Sequence, residues 1–389
     1  MTDPVPVWIP GAPREAVADG AVPRIAVTGA AGFLGWHVRC QLRARFGGDP
    51  VALDVEEFAD PVALARHLAD VDAVIHLAGV NRAADESEVA AANPALAQRL
   101  IDALDASGNA VPIVYGNSIH SRGDTTFGVS KREAAAILAE WGKRVGAPIV
   151  DVVMPNIFGE HGRPFYNSVV ATFAHLIARG ESPEVVDDKE LPLVHAQRVA
   201  AVLIDQALDP TPGQVEVAAT PVLVSEVAER MQAMTADYRT GMLPDLADPF
   251  TRDLFNTYRA ATFPDQWPIH PEPSSDPRGV LFEAVKAHGG QSQAFYSMTN
   301  PGFTRGQHFH LGKVERFCVL KGRADIRLRR LFTDEVVTFP VSGETPAIID
   351  MPTMWAHSIT NTGPDELITL FYADELFDPA RPDTYPEEV

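Results

Sequence analysis

Four side chains near one end of the sequence are spaced for metal chemistry: His308 and His310, Glu315 five residues on, and His357. Glycines and turn residues frame them, from Gly302 and Gly322 to Pro352 and Asn361. Alternate residues of a strand share a face, so His308 and His310 can point together into a small β-barrel. Glu315 follows after a short bend and His357 comes from a later strand. Three imidazoles and a carboxylate suit zinc, iron, manganese or nickel, with positions left for water or substrate. The bland alternative is a barrel lined with polar residues and holding no metal.

A second constellation lies toward the other end. Arg24-Ile-Ala-Val-Thr28-Gly29-Ala-Ala-Gly32-Phe33-Leu34-Gly35 reads as a buried strand running into a glycine-rich turn and a helix. Gly29 permits the tight turn, Gly32 lets backbone approach a pyrophosphate, and Gly35 allows close helix–strand packing. The phosphates would meet the unpaired N–H groups around Phe33 and Leu34 at the positive end of the helix. Asp54 follows the second strand, with Glu56 and Glu57 and no arginine beside it in sequence. A carboxylate there suits the ribose hydroxyls of NAD better than the 2′-phosphate of NADP. The small-residue bend His76-Leu-Ala78-Gly79 would pass near adenine and its ribose.

These residues need elements to hold them. Apolar strands at 25–28, 51–53, 73–78, 113–115 and 149–154 alternate with helical segments such as 93–106 and 130–145, which predicts a doubly wound parallel sheet covered on both faces. Prolines, acids and serines cluster over 264–276 as a linker or entry loop. Beyond it come short strands at 314–320, 324–330, 336–341, 347–350 and 366–373, a jelly-roll pattern. The expected division is a flexible arm over 1–22, a Rossmann domain over 23–262 and an all-β domain over 263–389. A length of 389 residues with 46% hydrophobic residues suits two globular domains. A net charge of −20 argues against nucleic acid and anionic membrane surfaces as partners. No segment reads as a membrane span or signal peptide, and the two cysteines, Cys40 and Cys318, lack a CxxC spacing. A reducing cytoplasm is the expected compartment.

The first half resembles the extended short-chain dehydrogenase/reductase family through Thr28-Gly29-x-x-Gly32-x-x-Gly35, Asn117-Ser118 and Phe127-Gly-Val-Ser130-Lys131. In that family a serine and a tyrosine bind the substrate oxygen, and a lysine binds the nicotinamide ribose and lowers the tyrosine pKa. Ser118 and Lys131 match; the tyrosine position is Phe127, which has no proton to exchange. The second half, with Asp276-Pro-Arg278-Gly279, Gln293, Ser297 and Arg305-Gly306-Gln-His308, resembles cupin-fold epimerases of 4-keto-6-deoxyhexoses. The resemblance implies that Arg278 and Arg305 hold the nucleotide diphosphate and that His308 is the base. His308 cannot serve fully as base and metal ligand at once.

Taken together with His76-Leu-Ala-Gly79-Val-Asn81-Arg82, Tyr166-Asn-Ser-Val-Val-Ala-Thr172-Phe173, Phe377-Asp-Pro379 and Pro382-Asp-Thr-Tyr385, the chain resembles the bifunctional UDP-sugar C3-epimerase/C4-ketoreductases of capsule and O-antigen synthesis, of the UDP-N-acetyl-L-fucosamine type. That resemblance implies a homodimer, a zinc-bearing cupin that epimerises C3 of a UDP-4-keto-6-deoxy-hexosamine, NADPH-dependent reduction of the C4 ketone by the Rossmann half, and Asn81 and Arg82 among the substrate contacts. The chain departs from it at Phe127, at the acids after the second strand, and at Val194-His195-Ala-Gln197, where the family shows Tyr-Val-Asp-Asp. All three departures lie in the reductase half. Two further readings stay open: an epimerase whose Rossmann half is a scaffold, and a metal-dependent cupin dioxygenase or sensor.

Overall fold

The computed structural model describes residues 22–277 and 279–389. Residues 1–21, nearly all of the expected arm, and Arg278 lie outside the described residues. Two compact units are present. Among the described residues, the first runs through Ile157 and takes in Pro192–Pro221; the second is Phe158–Leu191 with Val222–Val389. The boundary expected at 262/263 therefore falls inside the second unit.

In the first unit, β1 (Ile25–Thr28), β2 (Val51–Leu53), β3 (Ala73–His76), β4 (Ile113–Ser118), β5 (Ile149–Met154) and β6 (Gly213–Glu216) form a parallel sheet of order β2-β1-β3-β4-β5-β6. Alternation along each strand feeds two cores. Ala26, Val74, Ile113 and Tyr115 face one side with α2 (Glu86–Ser107) and α3 (Thr126–Val145). Ile25, Val27, Ala73, Ile75 and Val114 face the other with α1 (Phe33–Phe46) and α5 (Ala196–Leu208). The chain leaves β1 for β2 on one side and returns to β3 on the other. The switch point, where such sheets bind ligands, lies at the ends of β1 and β3.

Two helices are longer than the sequence pattern suggested. α2 begins at Glu86 rather than 93, and Pro94 sits inside it. Asp85 caps it, accepting from the Ser87 N–H at 2.9 Å. α3 begins at Thr126, capped by Thr125, whose hydroxyl accepts from Gly128 N–H at 3.1 Å. Phe127 and Lys131 thus share one helical face, four residues apart.

In the second unit, two antiparallel sheets carry β7 (Gln293–Thr299), β8 (Thr304–Phe309), β9 (Glu315–Lys321), β10 (Arg323–Arg330), β11 (Val336–Ser342), β12 (Ile348–Met351), β13 (Trp355–Asn361), β14 (Leu367–Ala373) and β15 (Tyr385–Pro386). Their orders are β7-β14-β9-β12 and β11-β10-β13-β8-β15. The same unit holds α4 (Val169–Ala178), α6 (Val224–Tyr238) and α7 (Pro249–Thr262). The helices are fastened to the β-structure by buried polar bonds. Tyr238 donates to the Asp350 carboxylate at 2.6 Å, Asn256 to the Gly312 carbonyl at 2.9 Å, and Arg259 to the Met351 carbonyl at 3.0 Å. Part of the expected linker is also built in: Ile269 exchanges backbone bonds of 3.0 and 2.8 Å with Ile348.

Candidate active sites

The four proposed metal-binding side chains converge between the two β-sheets. β8 and β13 pair so that His308 lies directly opposite His357, on the same face. A register shift between Gly306 and His308 makes Gln307, at φ +62°, the extra residue. Arg305, opposite Ile359, thereby shares the inward face with His308 three positions later. β9 brings Glu315 across from the other sheet. Its Oε2 lies 3.1 Å from His310 Nε2, 3.1 Å from His357 Nε2 and 3.9 Å from His308 Nε2. One ligand atom from each residue fits within a mutual 4.8 Å. Donors on one tetrahedral zinc ion would be about 3.3 Å apart, from Zn–N and Zn–O bonds of about 2.0–2.1 Å. The set needs only small closure to reach that.

The outward ring nitrogens are already engaged. His310 Nδ1 donates to the Asp383 carbonyl at 2.5 Å, and His357 Nδ1 to the Trp355 carbonyl at 3.2 Å. Each bond turns the lone pair of Nε2 toward the centre. Burial alone would raise the Glu315 carboxyl, but the imidazoles, His310 foremost, hold it well below the usual range. Burial pushes His357 down to about 4, against the pull of Glu315. A neutral His357 imidazole beside an ionised Glu315 carboxylate is the protonation state metal binding requires of that pair.

The cluster opens into a cavity of about 720 Å³ lined by Phe295, Tyr296, Met298, Arg305, Phe317 and Phe371, together with His308 and Glu315. Arg305 is braced by Thr299 Oγ1 at 2.9 Å and the Met298 carbonyl at 3.1 Å. His308 is the most accessible of the four donors, with its side chain 21% exposed against 10% or less for the others. Other side chains of this unit that could carry a proton separate here. Tyr296 is on the cavity wall; Lys313 Nζ is tied to the Pro382 carbonyl and Thr384 Oγ1. Glu335 is exposed outside the lining, and Tyr372 is buried. The apolar wall of Phe295, Phe317 and Phe371, with the first and last stacked at 5.0 Å, was not anticipated; their alternation along edge and central strands was its only signal.

In the first unit the glycine-rich turn is held from three sides. Gly29 adopts φ +65°, and a Cβ on it would lie 2.9 Å from Ala78 N; a Cβ on Gly35 would lie 2.1 Å from Gly29 O. Thr28 Oγ1 accepts from the Leu77 and Ala78 N–H groups and bonds His76 Nδ1 at 2.7 Å. Burial, then Lys131, pushes His76 down to about 3, so this ring stays neutral. Asp54 accepts from Ala31 N–H at 3.0 Å, which places its carboxylate at the glycine-rich turn. Arg39 on α1 also lies near: burial lowers its pKa, while Asp54 and Asp49 favour its charge. No arginine neighbours Asp54 in sequence, yet one does in space, brought there by a helix turn.

Ser118 ends β4, and its Oγ accepts from His120 N–H at 3.2 Å, leaving its own proton to give. Lys131 Nζ is buried, donating to the Gly116 carbonyl at 2.7 Å and lying 4.1 Å from the Tyr115 ring centre. Burial pushes it down to about 7. Phe127 is half-buried, its ring 6.5 Å from that of His120. Asn81 and Arg82 lie exposed after β3. His195 and Gln197 serve packing: Gln197 bonds His37 at 3.0 Å and accepts from Gln41 at 3.1 Å, joining α5 to α1.

A match to the family described as NAD dependent epimerase/dehydratase covers residues 25–209, and one to the polysaccharide biosynthesis C-terminal domain covers residues 274–385. A UDP-2-acetamido-2,6-beta-L-arabino-hexul-4-ose reductase of Pseudomonas aeruginosa is 32% identical over 366 residues, 93% of this chain and 98% of that one. The chain belongs to this epimerase/reductase family. The crystal structure of the capsular polysaccharide assembling protein CapF from Staphylococcus aureus aligns with a TM-score of 0.58 and 30% identity, over 94% of this chain and 100% of that one. A probable low-salt glycan biosynthesis epimerase, Agl13 of Haloferax volcanii, is 27% identical over 121 residues, 28% of this chain and 78% of that protein. The chain is therefore an enzyme of an NAD(P)-binding family, with a parallel-sheet nucleotide fold followed by an antiparallel all-β domain. Among the described residues no helix is long and apolar enough to cross a membrane.

Proposed function

We propose that the chain modifies a UDP-4-keto-6-deoxy-hexosamine, its all-β unit acting as a cupin C3-epimerase and its Rossmann unit as a weak C4 reductase. The observation that carries the reading is the convergence of His308, His310, Glu315 and His357 beside a cavity lined by His308, Glu315 and Arg305. A bound divalent ion, zinc by the donor set, would supply the positive charge that stabilises an enolate oxygen beside the reacting carbon. His310, Glu315 and His357 are the firm ligands in this reading. His308 is the loosest and most accessible donor, so it is the one able to act as proton acceptor. Arg305, with Arg278, is assigned to the diphosphate; the cavity's aromatic wall offers an apolar surface to the sugar. The P. aeruginosa relative's named substrate, a 2-acetamido-hexul-4-ose, fits a ketone of this class.

In the Rossmann unit, Gly29, Gly32, Gly35, Phe33 and Leu34 would cradle the pyrophosphate of NAD or NADP, Ala78 and Asp54 the adenosine, and Lys131 the nicotinamide ribose. Ser118 would donate to the ketone. Phe127 removes the usual acid, and this favours a second reading, in which the first unit docks the nucleotide sugar and the second does the chemistry. The reading includes a homodimer working in the cytoplasm. Incubation with a UDP-4-keto-6-deoxy sugar in D₂O, with and without NAD(P)H, tests both. The first reading requires deuterium uptake and slow cofactor oxidation; the second, uptake alone. No uptake rejects both.

A further inference from the structure

Asp383 is buried, 3% exposed, and adopts φ +38°, a region costly for any residue but glycine. Its carboxylate is wholly engaged with backbone: Oδ1 accepts from Leu311 N–H at 3.0 Å, and Oδ2 from Gly312 and Lys313 N–H at 2.9 and 2.7 Å. Its carbonyl accepts from His310 Nδ1. One residue therefore grips the turn that joins His310 to Glu315 with its side chain, and fixes the His310 ring with its main chain.

We propose that Asp383 is a positioning residue of the metal centre, and that the segment 382–389 is a built part of that centre. The inference rests on the metal reading of the four-residue cluster. Flanking bonds hold the segment beside the ligand strand. Pro386 pairs with His308 and Tyr385 with Phe309, the two rings 5.4 Å apart. Glu387 N–H donates to the Gln307 carbonyl at 3.0 Å, and Arg329 grips the Glu387 carboxylate at 2.6 Å. The strained backbone at Asp383 is what aims its carbonyl at the imidazole while its carboxylate turns toward the 311–313 amides. A carboxylate is needed because three N–H donors meet two oxygens; an asparagine amide offers one acceptor oxygen and places N–H groups against the remaining donors. An imidazole released from its carbonyl partner loses both its tautomer and its orientation, a change that typically costs metal affinity about 10–100-fold.

The test uses the full chain, stripped with chelator and titrated with zinc against a competing chelator, and with cobalt followed by its visible d–d bands. Asp383→Ala should weaken zinc about 10–100-fold and shift the cobalt bands. Asp383→Asn, nearly isosteric and the variant that keeps the test alive if the alanine form does not fold, should fall between. Arg381→Ala, just outside the segment with its guanidinium beside Asp378 at 3.5 Å, should leave both readouts unchanged. Wild-type affinity and an unshifted cobalt spectrum in a folded Asp383→Asn overturn the proposal. Failure of the wild-type chain to bind either metal instead overturns the metal reading beneath it.

Discussion

Replacing Asp350 by alanine should destabilise the second unit severely. Asp350 is fully buried on β12, directly opposite Arg316 of β9, the neighbour of Glu315. Arg316 is 1% exposed and grips Asp350 with two bonds of 2.6 and 2.9 Å; it also donates to the Gly241 carbonyl at 2.7 Å, and Tyr238 adds its hydroxyl to the same carboxylate. The alanine would strand a buried guanidinium and a buried phenol. Breaking such a pair costs about 3–5 kcal/mol. For a unit of roughly 200 residues, about 2–4 °C per kcal/mol gives a fall in Tm on the order of 6–20 °C. The double change Arg316→Met with Asp350→Leu removes both charges and should recover much of the loss. Because the protein has two units, the assay should be local: hydrogen exchange of peptides spanning Glu315–Lys321 and Ile348–Met351, alongside calorimetry. Burial alone would raise the Asp350 carboxyl, but Arg316 holds it below its usual value. Its contribution is therefore present above the unfolded pKa and lost as pH falls through the folded one. Unchanged exchange in a folded Asp350→Ala would refute the reasoning.

Phe127→Tyr should raise ketone-dependent NAD(P)H oxidation at least about 100-fold, since a general acid is worth about 10²–10⁴; equal rates would mean that Phe127 does not stand at the acid position. Glu315→Gln should abolish stoichiometric zinc binding, read by elemental analysis after gel filtration, because a neutral amide replaces the central carboxylate. Lys131, pushed down to about 7 in the folded chain against 10.5 unfolded, binds fewer protons folded than unfolded between those values, so first-unit stability should rise as pH climbs from 7 toward 10; in Lys131→Met that rise should shrink, measured by denaturant midpoints. NADH should bind more tightly than NADPH by about 1–3 kcal/mol if Asp54 takes the ribose hydroxyls; titration showing the reverse would assign the 2′-phosphate to Arg39.

The convergence of the four donor side chains and the glycine-rich turn were legible because their signals are local or strand-periodic: His308 and His310 share a face by alternation, and Gly29 and Gly35 sit where a Cβ would strike backbone. Three things were not. Arg39 reaches the neighbourhood of Asp54 through helix geometry, which linear spacing does not report. Pro94 hid the first two turns of α2, since a proline reads as a helix start. The bonds from Tyr238, Asn256 and Arg259 to the β-structure assign α6 and α7 to the second unit, where a proline-rich stretch after 262 suggested a boundary. Tertiary hydrogen bonding of this kind has no periodic trace. Asp383 belongs in the same class, being 73 residues from His310.

The central claim is proton exchange beside a ketone at the His308/His310/Glu315/His357 centre. Its most direct test is mass spectrometry of a UDP-4-keto-6-deoxy-hexosamine incubated with the full chain in D₂O without nicotinamide, comparing metal-loaded, chelator-stripped and His308→Ala protein. Uptake of one deuterium at C3 by the loaded protein alone is the predicted result. Uptake that persists after metal removal, or none by a loaded and folded protein, would contradict it.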